Sequence, residues 1–192
     1  MKIAITAIAA IAGAATASPY FTAANGNQGV GSSAPAGAIV TVTLDLSGVN
    51  NWDPQFDADN EFLSNNLGAN AHIIGISWDV NLATVGASWL SEAVMAFNSD
   101  LFLTVGIGDD TAGTASYSSG GMLDLVGTGL DFFLDASGLL NIEFFESFDD
   151  VADAIDSTYG AGSSIQVQYI IPAPGALAML GLGGIVAGRR RR

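Results

Sequence analysis

The fold is decided by the stretch AHIIGISWDVNL, which runs from Ala71 to Leu82. Large apolar residues alternate in it with small or polar ones, and this period-two pattern is typical of a strand that is buried on one face only. The pattern predicts one long strand. Its predicted core face carries Ile74, Ile76, Trp78, Val80 and Leu82, and its outer face carries Gly75, Ser77, Asp79 and Asn81.

Four other segments show the same alternation and predict further strands. They are AIVTVTLDL at 38–46, LFLTVGI at 101–107, LLNIEFF at 139–145 and SSIQVQYII at 163–171. Their predicted core residues are Val40, Val42, Leu44, Leu46, Leu101, Leu103, Val105, Ile107, Leu140, Ile142, Phe144, Ile165, Val167, Tyr169 and Ile171. MLDLV at 122–126 and LDFFL at 130–134 are shorter candidates, and WLSEAVMAF at 89–97 fits either a strand or a helix.

Only one segment favours a helix. In SFDDVADAID, residues 147–156, the apolar Phe148, Val151 and Ile155 recur at i, i+3 and i+7, and Ser147 is placed to cap the first turn. This spacing predicts one or two helical turns inside a loop.

Many short strands separated by Gly, Asn, Asp and Ser indicate an all-β protein, built as an antiparallel β-sandwich. The arrangement resembles jelly-roll modules, so we expect a jelly-roll-like sandwich. The chain divides into four predicted parts: a signal peptide at 1–17, a flexible lead-in at 18–37, the sandwich domain at 38–171 and a C-terminal tail at 172–192.

The charge distribution excludes one class of partner. All five basic residues are terminal, at Lys2 and Arg189–Arg192, whereas all 19 acidic residues lie between Asp45 and Asp156. Such a body repels phosphate backbones, so we expect no nucleic-acid binding. The chain contains no cysteine, which excludes disulfides, thiolate metal sites and a cysteine nucleophile.

The N-terminus has the pattern of a secretory signal peptide. Lys2 is followed by an apolar run from Ile3 to Ala15, and small residues stand at Ala15 and Ala17, before Ser18. This predicts an N-terminal signal helix with cleavage after Ala17 and therefore an exported protein.

The C-terminal tail has three parts. Pro172, Ala173 and Pro174 end the last strand, the uncharged segment from Gly175 to Gly188 follows, and Arg189, Arg190, Arg191 and Arg192 close the chain. As a helix the apolar segment would rise about 21 Å, which is short of the roughly 30 Å of a bilayer core. We interpret it as a short transmembrane helix whose arginines stay on the cytoplasmic side as a stop-transfer signal.

These three parts in this order resemble the PEP-CTERM sorting signal of exported bacterial proteins, in a Pro-Ala-Pro variant because Ala173 replaces the usual central Glu. The resemblance implies transient anchoring in the inner membrane, cleavage near Pro172–Pro174 by an exosortase, and delivery to the cell surface or the extracellular space. An ordinary tail anchor is the alternative.

Few residues between the two ends suggest catalysis. His72 is the only histidine and precedes a predicted strand, and no nucleophile elbow, P-loop, dinucleotide or zinc-protease motif is present. Glu143 and Glu146 lie three apart, which on a strand places them on opposite faces and makes a poor glycosidase pair. We expect a protein that is not an enzyme, and a secreted hydrolase remains the weaker alternative.

We expect no cofactor and interpret the acidic loops as solvated surface. Ca²⁺ is the alternative, because clustered carboxylate oxygens are ligands for this ion. The candidate metal ligands are Asp53, Asp57, Asp59, Glu61, Asp109, Asp110, Asp149 and Asp150.

The sequence thus predicts a non-enzymatic surface or matrix protein that associates with exopolysaccharide. A calcium-dependent carbohydrate-binding module, in which Trp52 and Trp89 stack on sugars, is the second hypothesis.

Overall fold

The computed structural model describes residues 37–150, 152 and 154–172. The predicted signal helix, the lead-in up to residue 36 and the tail beyond Pro172 lie outside the described residues. In chain order, the elements are β1 (Ile39–Asp45), β2 (Asn50–Asn51), β3 (Glu61–Asn66), β4 (His72–Thr84), β5 (Ala93–Phe97), β6 (Leu101–Thr104), β7 (Thr114–Ser118), β8 (Leu123–Asp124), α1 (Leu125–Thr128), β9 (Phe132–Phe133), β10 (Leu139–Glu146), β11 (Ser157–Tyr159) and β12 (Ser164–Ile170).

The strands form two antiparallel sheets, which confirms the all-β prediction. The larger sheet has the order β1-β12-β4-β11-β2, and β7, β8 and β9 pair with the other side of β4. The smaller sheet has the order β3-β10-β5-β6. The long strand β4 is therefore the central strand of the larger sheet, as expected for the most extended alternating segment in the sequence.

One hydrophobic core lies between the two sheets and makes the fold sandwich-like. The larger sheet contributes Leu44, Trp78 and Val167, and the smaller sheet contributes Met95 and Phe144, all nearly inaccessible to solvent. Alternating residues of each strand point into this core, so the predicted inward faces of β1, β10 and β12 are confirmed. The second half of the ambiguous segment at 89–97 forms the strand β5, and its first four residues lie in the turn before that strand.

The predicted inward face of β4 is wrong at its first position. Ile73, which is 1% exposed, lies in the core in place of Ile74. The register explains this: Gln168 of β12 pairs with Gly75 and Tyr169 pairs with Ile73, so Ile74 is an extra residue in a β-bulge. A bulge inverts the alternation on one side of itself, and the pattern from Ile76 onward is inward as predicted.

Two other predictions on local structure are wrong. The described residues of 147–156 contain no helix, and Phe148 is 62% exposed. Helix α1 lies instead at Leu125–Thr128, where Asp124 caps the Gly127 N–H. Ile107 is exposed because β6 ends at Thr104, before the alternation reaches it.

The first and last strands of the domain are neighbours. β1 and β12 pair along their full length, from Ile39 opposite Ile170 to Asp45 opposite Ser164, and the Gly37 N–H donates to the Ile171 carbonyl at 2.8 Å. Both ends of the described chain therefore leave the sheet at the same place. Within the described ranges, no helix is long and apolar enough to cross a membrane.

Candidate functional site

The candidate site is the acidic loop between β2 and β3, residues 52–60. Phe56 at its tip has φ of 74°, a left-handed conformation that is uncommon for a bulky residue, and its side chain is 68% exposed. The sharp turn at Phe56 folds the loop back on itself, so that its two acidic ends approach each other.

A buried glutamate from the smaller sheet holds this turn in place. The Phe56 N–H donates to Glu143 Oε1 at 2.6 Å, and Asn60 Nδ2 donates to the same oxygen at 3.1 Å. Asn60 also accepts from the Asp53 N–H and donates to the Pro54 carbonyl. Burial raises the pKa of Glu143, and the hydrogen bonds from Phe56 and Asn60 oppose that rise. Glu143 therefore has a positioning role, as the anchor on which the loop folds.

The loop brings three carboxylates together. One oxygen each from Asp53, Asp57 and Asp59 lies within 4.8 Å of the other two. Two oxygens bound to one Ca²⁺ at 2.3–2.6 Å are at most about 5 Å apart, so this spacing fits a shared divalent cation. Asp53 is buried, whereas Asp57 and Asp59 are exposed, so an ion would reach the cluster from the solvent side.

The other predicted ligands lie elsewhere. Glu61 belongs to β3 and accepts from Asn50 Nδ2 at 2.7 Å, outside the three-residue cluster. Asp109 accepts from the Tyr117 hydroxyl, which together with Thr111 holds the pKa of its carboxyl below its usual range, and Asp110 accepts from Ser91 Oγ. Of the predicted ligands that the structure describes, only Asp53, Asp57 and Asp59 therefore form such a cluster.

A second group of carboxylates is buried behind the loop, and one of its members, Glu146, is the residue that the sequence placed in a poor glycosidase pair with Glu143. Glu146 and Asp156 are 1% and 2% exposed. Glu146 Oε1 accepts from Ser157 Oγ at 2.5 Å, and Asp156 Oδ1 accepts from Ser88 Oγ at 2.9 Å. The second oxygen of each carboxylate has no hydrogen-bond partner among the described residues.

Burial dominates the protonation of these two acids. Burial, together with the charges of Asp156, Glu92 and Asp150, raises the pKa of Glu146 to about 8, against the opposing hydrogen bond from Ser157. Burial likewise raises the pKa of Asp156, beside Asp149, Asp150 and Asp53. Glu146 is therefore largely protonated at neutral pH, which avoids the cost of an ionised carboxylate in the interior. The sequence contained a signal for it, since Glu146 continues the inward series Leu140, Ile142, Phe144.

The two glutamates considered for catalysis, Glu143 and Glu146, do not face a common cleft. Glu143 and Glu146 point to opposite faces of β10: Glu146 enters the core side, and Glu143 turns toward the loop at Phe56. His72 Nε2 lies 2.6 Å from Asp131 Oδ2, and the His72 ring stacks on Phe133 with ring centroids 4.0 Å apart. His72 thus lies in a packed surface pair at the start of β4.

The two tryptophans differ in exposure. Trp89 is 45% exposed, in the turn that precedes β5, whereas Trp52 is only partly exposed at the start of the acidic loop. Trp89 is therefore the more accessible of the two for stacking on a ligand.

Most of the predicted sorting and processing residues lie outside the described residues. These are Ala15, Ala17, Ser18, Ala173, Pro174 and Arg189–Arg192. Pro172 is described. It is partly buried and lies two residues after the end of β12.

Comparison with known proteins gives no assignment. No protein-family model matches the chain, and no curated protein matches it either.

Proposed function

We propose that this chain is an exported, non-enzymatic protein of the cell surface or extracellular matrix, with a jelly-roll-like domain that associates with exopolysaccharide. Its C-terminal segment anchors it transiently in the inner membrane, and an exosortase then removes that segment near Pro172–Pro174. The sequence features that support this are the signal-peptide pattern, the Pro-x-Pro, apolar and arginine series, and a body without Lys or Arg.

The structural observation that best supports the proposal is the position at which the last strand, β12, ends. Ile165, Val167 and Tyr169 of β12 are buried in the core, and β12 lies between β1 and β4. Pro172 follows two residues after β12 ends, at the edge of a core that the described strands already form. Cleavage near Pro172–Pro174 would therefore leave the whole of β12, with its buried residues, in the released domain.

The test is fractionation of a bacterium that expresses the full chain and possesses an exosortase. We expect the wild-type protein to pass from the membrane fraction to the surface or medium. A variant with Gln at Arg189–Arg192 should fail to be retained and processed, because the stop-transfer charges are absent. A body variant such as Asp59→Asn, which leaves the tail intact, is the control. Equal processing of the arginine variant and the wild type would refute the sorting role.

A second candidate function is calcium-dependent binding of carbohydrate, favoured by the 4.8 Å cluster of Asp53, Asp57 and Asp59. The residues fit a Ca²⁺ ion because they supply hard oxygen ligands from one loop, with solvent completing the coordination. Calorimetry with Ca²⁺ is the test. Asp57→Asn and Asp59→Asn should each weaken binding about tenfold or more, whereas Asp110→Asn, in another acidic loop, should not change it. Binding that survives both loop substitutions would contradict the candidate.

A hydrolase is a weaker alternative. Its general acid and base would have to converge on one cleft, and the arrangement of Glu143 and Glu146 on opposite faces of β10 favours a structural role for both.

A further inference from the structure

A groove of about 220 Å³ lies on the outer face of the larger sheet, away from the acidic loop and the core. Its polar lining residues are Ser77, Asp79, Ser118, Ser119, Ser164 and Gln166. Trp78 also contributes to the wall, but its side chain is 4% exposed and lies in the core, so its contribution is backbone.

The register of the sheet places these side chains together. Asp79 of β4 pairs with Ser164 of β12 on one side and with Ser118 of β7 on the other, and Ser77 pairs with Gln166. Cross-strand partners share one face of a sheet, so two adjacent rows of polar side chains form the floor. The turn after β7 forms the rim, where Ser119 Oγ accepts from the Trp78 N–H at 3.1 Å.

Hydrogen bonds within the sheet fix this lining but leave several of its groups available. The buried Ser77 hydroxyl donates to Gln166 Oε1 at 3.4 Å, which directs the Gln166 amide nitrogen away from Ser77. No described residue donates to the Asp79 carboxylate, which is exposed. A carboxylate, an amide N–H₂ and the Ser164 hydroxyl therefore face one cavity from the neighbouring strands β4 and β12.

The chemistry of the groove selects the class of ligand. The body carries no Lys or Arg, so an anionic ligand would meet only the Asp79 charge. The lining offers no exposed apolar side chain for a lipid or aromatic ligand, and one carboxylate is too few for a Ca²⁺ ion, which takes six to eight oxygen ligands. Vicinal hydroxyl groups, each both donor and acceptor, complement a carboxylate beside an amide and a hydroxyl.

The volume limits the size of the bound unit. Pockets for drug-sized ligands have volumes of about 300–1,000 Å³, and this groove is smaller and open to solvent. We propose that the groove binds a single neutral hexose unit, with Asp79 accepting from two adjacent sugar hydroxyls and Gln166 donating to a third oxygen. This inference names a binding site for the association with exopolysaccharide proposed above. It rests on that proposal only for the identity of the polymer that supplies the hexose.

The test is binding of the purified full-length chain, in mild detergent with a calcium chelator, to arrays of neutral hexose oligosaccharides and of uronic-acid oligosaccharides. The array hit with the strongest signal is then titrated by calorimetry. We expect binding to neutral oligosaccharides and none to the uronic-acid series. Asp79→Ala and Gln166→Ala should each weaken binding about tenfold or more, as expected for lost hydrogen bonds to a ligand.

Gln168→Ala is the matched control, because Gln168 lies two residues along the same face of β12 but outside the groove lining. Its affinity should stay within about twofold of wild type. A second measurement does not depend on how well the variants fold. When the sugar is added to the wild-type chain, the largest changes in amide NMR chemical shift should occur at Ser77, Ser118 and Ser164.

The proposal is overturned if no neutral sugar binds, if uronic acids bind better, or if Gln168→Ala loses as much affinity as Gln166→Ala. Since the assay uses purified chain, a failure of export or tail processing in cells leaves its result unaffected.

Discussion

Replacing the buried Glu146 by Gln should make the stability of the domain less sensitive to pH. Glu146 is 1% exposed, and its carboxylate faces the charges of Asp156, Glu92 and Asp150 and the hydroxyl of Tyr159. Burial, together with these negative charges, raises its pKa from 4.5 to about 8 in the folded state. The folded protein therefore holds this proton more tightly than the unfolded chain does.

The sign and the size of the effect follow from proton linkage. Between pH 4.5 and about 8 the folded state binds more protons than the unfolded state, so the free energy of unfolding falls as the pH rises through this window. A pKa difference from 4.5 to about 8 corresponds to at most about 5 kcal/mol. We expect wild type to lose about 2–5 kcal/mol between pH 5 and pH 9, and Glu146→Gln to lose much less.

Urea unfolding followed by tryptophan fluorescence, at five pH values from about 5 to 9 and with a chelator present, measures this difference. Exposed carboxylates are ionised throughout that range, so general repulsion changes little. Glu61→Gln, at a partly exposed glutamate of β3, should keep the wild-type slope. The reasoning is refuted if Glu146→Gln shows the wild-type slope, or if wild-type stability rises with pH.

Two further substitutions test the core and the packing of one turn. Phe144→Ala, at a fully buried ring of β10, should lower the free energy of unfolding by about 3–5 kcal/mol, and a loss below about 1 kcal/mol would contradict the described core. Gly138→Ala should cost more than about 2 kcal/mol, because its φ is 72° and a Cβ there would lie 2.4 Å from the Gly68 carbonyl carbon. Gly162→Ala is its control, with a similar φ of 81° and open space around the new methyl, so equal losses in chemical denaturation would refute the packing argument.

The parts of the fold that the sequence predicted are those where alternation continues without interruption. Ile142 and Phe144 in β10, and Val167 and Tyr169 in β12, are buried because each strand stays in register with both neighbours. Alternation failed at Ile74, because a bulge is a property of the pairing with β12 and leaves no mark in the sequence of β4.

The false helix at 147–156 and the missed helix α1 have a common cause. The i, i+3, i+7 spacing of Phe148, Val151 and Ile155 stabilises a helix only if that face meets a core, and Phe148 is exposed. Leu125, by contrast, is fully buried, and its burial together with the Asp124 cap is enough to form the four-residue helix α1. A helix of four residues is too short to show a periodic pattern in the sequence.

The acidic loop was partly predictable. The spacing of Asp53, Asp57 and Asp59 in a Pro- and Asn-containing stretch indicated a loop with clustered carboxylates, and the structure brings these three together. Glu61 was grouped with them by proximity in sequence, but it is already part of β3. The role of Glu143 depends on the contact between β10 and the distant loop, which no local pattern encodes.

The intact mass of the protein recovered from the surface or medium of a host that possesses an exosortase tests the central claim most directly. The proposal predicts a product that begins at Ser18, ends near Pro172–Pro174 and lacks Arg189–Arg192. A surface product that still ends at Arg192 would contradict it.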